Sequence, residues 1–300
     1  MSVLIHHLLC PACSSSSIQS TFSAVDYTAT NESFAIWNCN DCSLQFTQDV
    51  PDQNNIAPYY QSNSYVSHSD TKEGLINKLY HLVRAHTLKQ KYKLIKSSTK
   101  LAKGRILDIG AGTGAFAHTM KKNGWEVKGL EPDATAREHA KKNYQLELDL
   151  PDNINHFQAA AFEVITLWHV LEHVHDLKGY WNHFKKLLSK QGQLIIAVPN
   201  YTSQDAQHYG QYWAAYDVPR HLYHFSPQSI ELLASHYGFT LKSVHPMWFD
   251  SFYVSMLSEQ YKNEKSNLLK AFWNGLLSNY NSIFNKRRCS SVIYIFTKND

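Results

Sequence analysis

The chain has 300 residues, of which 43% are apolar and 13% aromatic, so it can bury a full core and still form one small accessory module. Its 29 basic and 25 acidic residues give a formal net charge of +4, and the dispersed basic residues do not favour a nucleic-acid partner. No apolar run reaches the roughly eighteen residues of a membrane span, and no signal peptide is recognisable, which predicts a soluble, cytoplasmic protein.

Cysteine spacing dominates the first 46 residues, which otherwise consist of short β-like runs broken by Pro, Asn and Cys. Two Cys-x-x-Cys pairs, Cys10 with Cys13 and Cys39 with Cys42, occur in this region. Without an export signal, such thiols are expected to bind a metal rather than to form disulfides. Four thiolates suit a closed tetrahedral zinc shell, so residues 1–46 are predicted to form a zinc ribbon with a structural ion.

Residues 47–100 are predicted to connect this ribbon to the main domain. Up to Ser69 the segment is rich in Asn, Gln, Ser and Tyr without periodicity, which indicates a linker or loop. Apolar residues then recur at helical spacing, which predicts an amphipathic helix over residues 72–96. These apolar positions are Leu75, Ile76, Leu79, Leu82, Val83, Leu88 and Ile95.

Strand and helix patterns alternate through residues 101–300, the predicted main domain. Strand candidates are residues 105–109, 126–130, 163–167 and 193–198, with helices after Gly114, after Asp133 and near Trp181. This alternation predicts an α/β fold with a doubly wound, mostly parallel sheet covered by helices on both faces. Two later strand candidates, 241–245 and 292–297, flank a helical insertion at about 250–288.

The insertion contains an apolar helical stripe over residues 266–284. Intramolecular packing is the favoured interpretation, because an apolar stripe on a helix usually faces its own core. A cap over the active site, a dimer surface and, with Lys286–Arg288 behind it, a membrane-surface element are the alternatives. The stripe comprises Leu268, Leu269, Phe272, Trp273, Leu276, Leu277, Tyr280 and Phe284.

A glycine-rich turn follows the first strand of the main domain, in the segment ILDIGAGTGAF. Gly110, Gly112 and Gly114 allow a tight turn and bring a ligand against the main chain. Glu131 follows the next strand, where a carboxylate can accept hydrogen bonds from both hydroxyls of a ribose. The glycines alone also fit a dinucleotide site, but the carboxylate of Asp108 would repel two phosphates and suits a sulfonium or ammonium group.

With these motifs the sequence, from about Gly104 to Asp300, resembles the class I S-adenosylmethionine-dependent methyltransferase family. The resemblance implies a Rossmann-like sheet of seven strands whose last strand is antiparallel. It also implies cofactor contacts by the residues of the glycine turn, by acids after the first strands and by a residue lining the cleft. These positions are Asp108, Gly110, Gly112, Gly114, Glu131, Asp149 and Trp168. Zinc ribbons precede some family members that modify sugars and small metabolites, which implies a small-molecule acceptor.

Histidines in two segments, WHVLEHVHD and YDVPRHLYHF, are the catalytic candidates. His169 follows the fourth strand, at the sheet edge where open α/β folds bind ligands, and is interpreted as a general base or an acceptor anchor. A helical turn would place His169, Glu172 and His173 on one face. Some relatives hold a divalent cation at this place, and the nitrogen-rich set here would suit a transition metal.

The second histidine segment is expected to fold over the same edge and to supply an acceptor pocket. Its catalytic candidate is His221, accompanied by Asp217, Arg220 and His224. The predicted function is therefore methyl transfer from S-adenosylmethionine to an unidentified small metabolite or sugar. An NAD(P)-dependent oxidoreductase and a cofactor-binding module whose ribbon recruits a protein or RNA are the alternatives, and the oligomeric state is left open.

Overall fold

The computed structural model describes residues 3–61, 75–263 and 267–299. The predicted linker up to Ser69 therefore lies partly outside the described residues, as do the first residues of the predicted 72–96 helix. Among the described residues no helix is both long and apolar enough to cross a bilayer.

A six-stranded sheet forms the centre of the main domain. Its strands are β6 (Arg105–Ile109), β7 (Glu126–Leu130), β8 (Phe162–Trp168), β9 (Leu188–Pro199), β11 (Phe239–Pro246) and β12 (Ser291–Lys298). They lie in the order β11-β12-β9-β8-β6-β7, with β6 to β9 parallel and β12 antiparallel to both of its neighbours. This arrangement confirms the predicted α/β class, the strand positions and the antiparallel last strand.

The seventh strand implied by the family resemblance is reduced to a single bridge between Leu130 and Asp149 in the described residues. The amide of Asp149 donates to the carbonyl of Gly129, and the Asp149 carbonyl accepts from the amide of Glu131. Pro151 then begins a 3-10 helix that runs to His156. Because proline has no amide hydrogen to continue a ladder, the strand ends before it is established.

Helices cover both faces of this sheet, as the alternating sequence predicts. Successive β9 residues point to opposite faces: Leu194, Ile196 and Val198 belong to one core cluster, whereas Ile195 and Ala197 belong to the other. The first face is covered by α4 (Leu177–Leu187), and the second by α1 (Leu75–Thr99) and α2 (Ala115–Lys122). The other helices are α3 (Ala134–Tyr144), α5 (Gln204–Tyr209) and α6 (Pro227–His236).

The cysteine-rich region folds as short antiparallel strands that are continuous with the main domain. They are β1 (Leu4–Ile5), β2 (Ile18–Val25), β3 (Ser33–Cys39), β4 (Gln45–Thr47) and β5 (Val50–Pro51). The main-domain strand β10 (Tyr223–His224) pairs with β4 and extends the β2-β3-β4 sheet. The domain boundaries at residues 46 and 100 stay predictions. Strand β4 runs from Gln45 to Thr47 and therefore continues past residue 46.

The insertion between β11 and β12 is a helical hairpin, formed by α7 (Asp250–Asn263) and α8 (Leu268–Phe284). The stripe that was expected to pack inside the protein is exposed, with exposed fractions from 40% at Leu276 to 76% at Leu269 and Phe284. The α8 side chains that are buried are small or polar: Ala271, Gly275, Ser278, Asn279 and Ser282. The favoured sequence interpretation of this helix is therefore wrong.

Hydrogen bonds explain why α8 buries its polar side. The hydroxyl of Ser278 donates to Asp205 at 2.7 Å, and the amide group of Asn279 donates to the carbonyl of Trp248 at 2.7 Å. A Cβ on Gly275 would lie 2.7 Å from the ring of Phe252, so the two helices approach closely at this point. These directional contacts fix the rotation of α8 and turn its apolar stripe outward.

Candidate active site and metal centre

The four N-terminal cysteines converge, as their spacing predicts. The Sγ atoms of Cys10 and Cys42, and those of Cys13 and Cys39, are each 3.5 Å apart, and all four lie within 4.8 Å of one another. None of them forms a disulfide. A tetrahedral ion with Zn–S bonds of about 2.3 Å needs sulfur–sulfur separations of about 3.8 Å, which this cluster matches.

The glycine turn joins β6 to α2 and adopts backbone angles that other residues rarely adopt. Gly110, Gly112 and Gly114 have φ values of +68°, +53° and +80°. A Cβ on Gly110 would lie 2.3 Å from the side chain of Val170, so the segment after β8 packs directly on the turn. A Cβ on Gly112 would meet nothing within 4 Å, which leaves open space above the turn for a ligand.

Glu131 follows β7 and holds the turn in place. One carboxylate oxygen accepts the amide of Gly112 at 2.7 Å, and the other accepts the amide of Asp133 at 2.9 Å. Burial raises the pKa of Glu131, although these two amides favour its ionised form. A carboxylate offers about four lone-pair positions, so two remain for the hydroxyls of a ribose.

Asp108 lies beneath the turn with an exposed fraction of only 1%. Burial raises its pKa to about 7, while the hydroxyl of Thr166, which donates to it at 2.7 Å, and the nearby Lys91 ammonium favour the ionised form. Burial with so few hydrogen-bond partners makes the ionised form of this carboxylate energetically unfavourable. It is the kind of group that a cationic ligand would stabilise.

Lys91 on α1 is a site residue that the sequence interpretation missed. Its ammonium lies 4.1 Å from the centre of the Trp168 ring, and burial lowers its pKa to about 8 despite the nearby carboxylates of Asp108 and Asp250. The helix carries several lysines, but Lys91 lies between Leu88 and Ile95 on the apolar face. A lysine within an apolar stripe was the signal that could have identified it.

His169 is placed at the carboxyl end of β8 between two carboxylates, with a left-handed backbone (φ 59°) that is uncommon for a residue with a side chain. Its Nε2 atom lies 2.9 Å from Asp250, and its Nδ1 atom lies 3.4 Å from Glu172. Burial alone would lower the pKa of His169, but these two contacts raise it to about 10. The ring is thus an imidazolium at neutral pH, which favours the anchor interpretation over the general base.

Asp250, the first residue of α7, was not identified from the sequence because it lies more than 80 residues after β8 in the insertion. Burial alone would raise its pKa, but the imidazolium of His169 holds it below the usual range. Its side chain is 26% exposed, so a carboxylate oxygen can still reach a ligand.

His173 and His221 lie on the other side of Glu172. Their rings are 4.5 Å apart, and the Nδ1 atoms donate to the carbonyls of Arg220 and Ala215, respectively. Apart from the 3.4 Å ion pair with His169, neither oxygen of the fully buried Glu172 carboxylate has a hydrogen-bond partner among the described residues. The three side chains place potential metal-ligand atoms within 4.8 Å of one another, so His221 takes the place given to His169 in the sequence-based metal set.

Arg220 was expected in an acceptor pocket, but its guanidinium is completely buried where the ribbon meets the main domain. It donates to Asp217 at 2.6 Å, to Asp26 of the ribbon at 2.9 Å and to the carbonyl of Tyr59 at 2.7 Å. The contacts with Asp26 and Tyr59 join Arg220 to distant chain segments, and Asp217 holds it from within its own segment, which is the geometry of a structural anchor. Asp149, by contrast, lies beside β7 at the sheet edge, where its single bridge keeps it next to Glu131.

The parallel sheet with its antiparallel last strand, the glycine turn and the carboxylate after β7 define a class I methyltransferase fold. A family model described as a methyltransferase domain matches residues 81–244, which are 164 of the 300 residues. The chain belongs to this methyltransferase family, whose members use S-adenosylmethionine. The oxidoreductase alternative is thereby set aside.

Curated relatives include a ubiquinone biosynthesis O-methyltransferase from Pelagibacter ubique, which is 32% identical over 119 residues, 37% of this chain and 48% of that protein. A protein of the same name from Sodalis glossinidius is 30% identical over 135 residues, 43% of this chain and 53% of that protein. The chain spans about half the length of these curated relatives.

A solved structure supports the fold. Magnesium protoporphyrin IX methyltransferase from Synechocystis, with bound S-adenosylhomocysteine, has a TM-score of 0.55 at 12% identity. The match covers 83% of this chain and 100% of that chain. At this level of identity the likeness shows the fold alone.

Proposed function

We propose that the protein transfers a methyl group from S-adenosylmethionine to a hydroxyl oxygen of a small metabolite or sugar bound beside Asp250. The observation that carries the proposal is the chain of charges Asp250–His169–Glu172 next to the glycine turn. The names of the curated relatives, which are O-methyltransferases, support oxygen as the accepting atom.

The turn and its acids fit the cofactor. The open space above Gly112 admits a ligand against the main chain, and the two remaining acceptor positions of Glu131 suit ribose hydroxyls. The buried carboxylate of Asp108 suits the positive charge of the methionine part. We assign Trp168 to the wall of the site and Asp149, which is bridged to Leu130 next to Glu131, to the adenine. When bound, S-adenosylmethionine supplies the methyl group as an electrophile on its sulfonium sulfur.

Asp250 is the residue that we assign to the acceptor. Its accessible carboxylate accepts a hydrogen bond from the acceptor hydroxyl and takes the proton as the new oxygen–carbon bond forms and the sulfur–carbon bond breaks. His169 anchors Asp250 with a charge-assisted hydrogen bond, while Glu172 fixes the other side of the imidazolium. The ring of His221 packs against the ring of His173 next to Glu172, and we propose that it forms part of the wall of the acceptor site. The acceleration of methyl transfer would come mainly from positioning the two reactants next to each other.

The cysteine cluster is proposed to hold one structural zinc ion. The sulfur separations suit tetrahedral coordination, and four protein ligands leave no open position for catalysis. A transition metal at Glu172, His173 and His221 stays a prediction, and the proposed role of Asp250 does not depend on it.

The test begins with calorimetry of S-adenosylhomocysteine and of NADH, in which only the first should bind. Metabolite extracts are then screened for methyl transfer from the methyl-labelled cofactor. With an acceptor identified, Asp250→Asn and His169→Ala should each lower kcat by about a hundredfold or more and leave S-adenosylhomocysteine affinity unchanged. The exposed Asp152→Asn change is the matched control. Parent-like turnover of both variants would refute this placement of the active site.

A further inference from the structure

The outward stripe of α8 is a long apolar surface among the described residues that methyl transfer does not explain. Its members are Leu268, Leu269, Phe272, Trp273, Leu276, Leu277, Tyr280, Ile283 and Phe284, each of which is exposed. Single exposed apolar residues are ordinary, but a continuous row of nine on one helix is not. Because hydrogen bonds of Ser278 and Asn279 fix the helix rotation, the row cannot turn inward without breaking them.

The charged side chains on α8 itself and on the turn that follows it are all basic. Within α8 and the turn that follows it, the charged side chains are Lys270, Lys286, Arg287 and Arg288, and all four are exposed. Arg287 pairs with Glu231, whereas Lys286 and Arg288 extend the positive charge at the end of the stripe. A basic, aromatic-rich amphipathic helix is complementary to an anionic lipid surface.

We infer that the apolar face of α8, together with the basic turn Lys286–Arg288, docks the protein on the surface of an anionic membrane. The helix lies on the bilayer and does not cross it, because no described helix is long and apolar enough to span one. Trp273 and Tyr280 are of the types that concentrate at the lipid–water interface. A second copy of the same face is disfavoured, since α8 and its basic turn carry no acidic side chain that could neutralise the lysines and arginines of the other copy.

The docked face continues towards the active site. Trp248 and Phe249 are exposed immediately before Asp250, and Phe249 contacts the ring of His86 on α1. Phe252 of α7 stacks on Phe272 within the stripe, with ring centres 5.5 Å apart. Docking through α8 would therefore place the Asp250 end of the site close to the membrane surface.

The experiment is flotation of the full chain with vesicles of phosphatidylcholine, with and without phosphatidylglycerol. We expect binding to the anionic vesicles that weakens with added salt, and little binding to the neutral ones. Replacing Leu269, Trp273 and Leu277 together by serine should weaken binding by about a hundredfold or more. The control is Leu8→Ser with Leu101→Ser, which changes exposed leucines outside the hairpin and the basic turn.

A second pair of variants isolates the charges. Lys286→Glu with Arg288→Glu should weaken binding to anionic vesicles by about thirtyfold or more. Lys122→Glu with Lys142→Glu makes the same change in net charge at exposed positions away from the hairpin and should bind like the parent. Circular dichroism checks that each variant is folded, which the exposure of these side chains favours.

Three outcomes would overturn the inference. The first is no preference of the parent for anionic over neutral vesicles. The second is binding of the serine or glutamate variants that equals binding of their controls. The third is a dimer in sedimentation equilibrium that the three serine replacements dissociate, because the face would then be the contact between two copies. S-adenosylhomocysteine affinity is measured in parallel, so that failure to dock is distinguished from failure of the proposed function.

Discussion

Buried charges behave differently in two regions of this protein. Where the ribbon meets the main domain, Arg220 is surrounded by Asp26, Asp217 and the Tyr59 carbonyl, and each donor has an acceptor. At the carboxyl ends of β6 and β8, Asp108 and Glu172 are as deeply buried but have few partners. A buried charge whose hydrogen bonds are all formed within the protein stabilises the fold. A buried charge with few such hydrogen bonds is available to a ligand.

Metal removal should produce the largest effect on the structural side of this comparison. The ligands Cys10, Cys39 and Cys42 lie in one core cluster with Phe46 and Tyr223, so losing the ion would disturb the main domain as well as the ribbon. We expect close to one zinc ion per chain by metal analysis. Chelation or Cys39→Ser should lower the Tm by roughly ten degrees or more. Absence of zinc from protein with four reactive thiols would contradict the assignment.

Arg220→Met tests whether the partnered charge is structural. It leaves the carboxylates of Asp26 and Asp217 without their cation, and we expect a loss of about 3 kcal/mol in the free energy of unfolding. Urea unfolding measures it. The control is Arg105→Met, which removes the partly exposed pair with Glu163 and should cost much less, because solvent screens that pair. Equal costs would show that Arg220 has no special structural role.

Asp108→Asn tests the incompletely partnered group. Burial raises the folded-state pKa of Asp108 to about 7, so between its ordinary value and pH 7 the folded chain binds more protons than the unfolded chain. This carboxylate therefore costs stability as pH rises to 7 and costs most above it. The variant should be more stable than the parent at pH 8 by roughly 4 kcal/mol, with the advantage nearly vanishing at about pH 4.

The same substitution should weaken S-adenosylhomocysteine binding by about 2 kcal/mol in calorimetry, because a charge-assisted contact is lost. Glu138→Gln removes an exposed carboxylate from α3 and should change neither quantity. A variant that is less stable but binds normally would reverse the assignment of Asp108 from function to structure.

Lys91→Met should give the smallest change in the free energy of unfolding, and it tests the pH dependence from the cationic side. Burial lowers the folded-state pKa of Lys91 to about 8, so the folded chain binds fewer protons than the unfolded chain between pH 8 and the ordinary lysine value of about 10.4. Stability therefore rises with pH across this window. The variant should exceed the parent by no more than about 1 kcal/mol below pH 8, since the side chain is only partly buried, and the gain should shrink towards pH 10.

Lys93→Met is the matched control for this measurement, because it removes an exposed lysine from the same helix. A pH-independent difference between Lys91→Met and the parent in thermal unfolding would disprove the effect of the buried ammonium.

The sequence by itself determined the features that depend on neighbouring residues. The strands at 105–109 and 126–130 were predicted with the bounds that the structure has, because apolar runs and glycine turns are local signals. The Cys-x-x-Cys pairs indicated a metal cluster for the same reason. The glycine turn and Glu131 could be predicted as site residues because each directly follows a strand that is recognisable in the sequence.

Tertiary structure alone decided which side chains meet from distant segments. Asp250 reaches His169 across 81 residues, and Lys91 reaches Trp168 from a helix before the sheet, so no local pattern pairs them. The orientation of α8 was decided in the same way. Its apolar stripe predicted a buried face, but hydrogen bonds from Ser278 to Asp205 and from Asn279 to Trp248 fixed the opposite rotation. The spacing of apolar residues along the sequence indicates that a helix has an apolar and a polar face, whereas tertiary packing determines which face is buried.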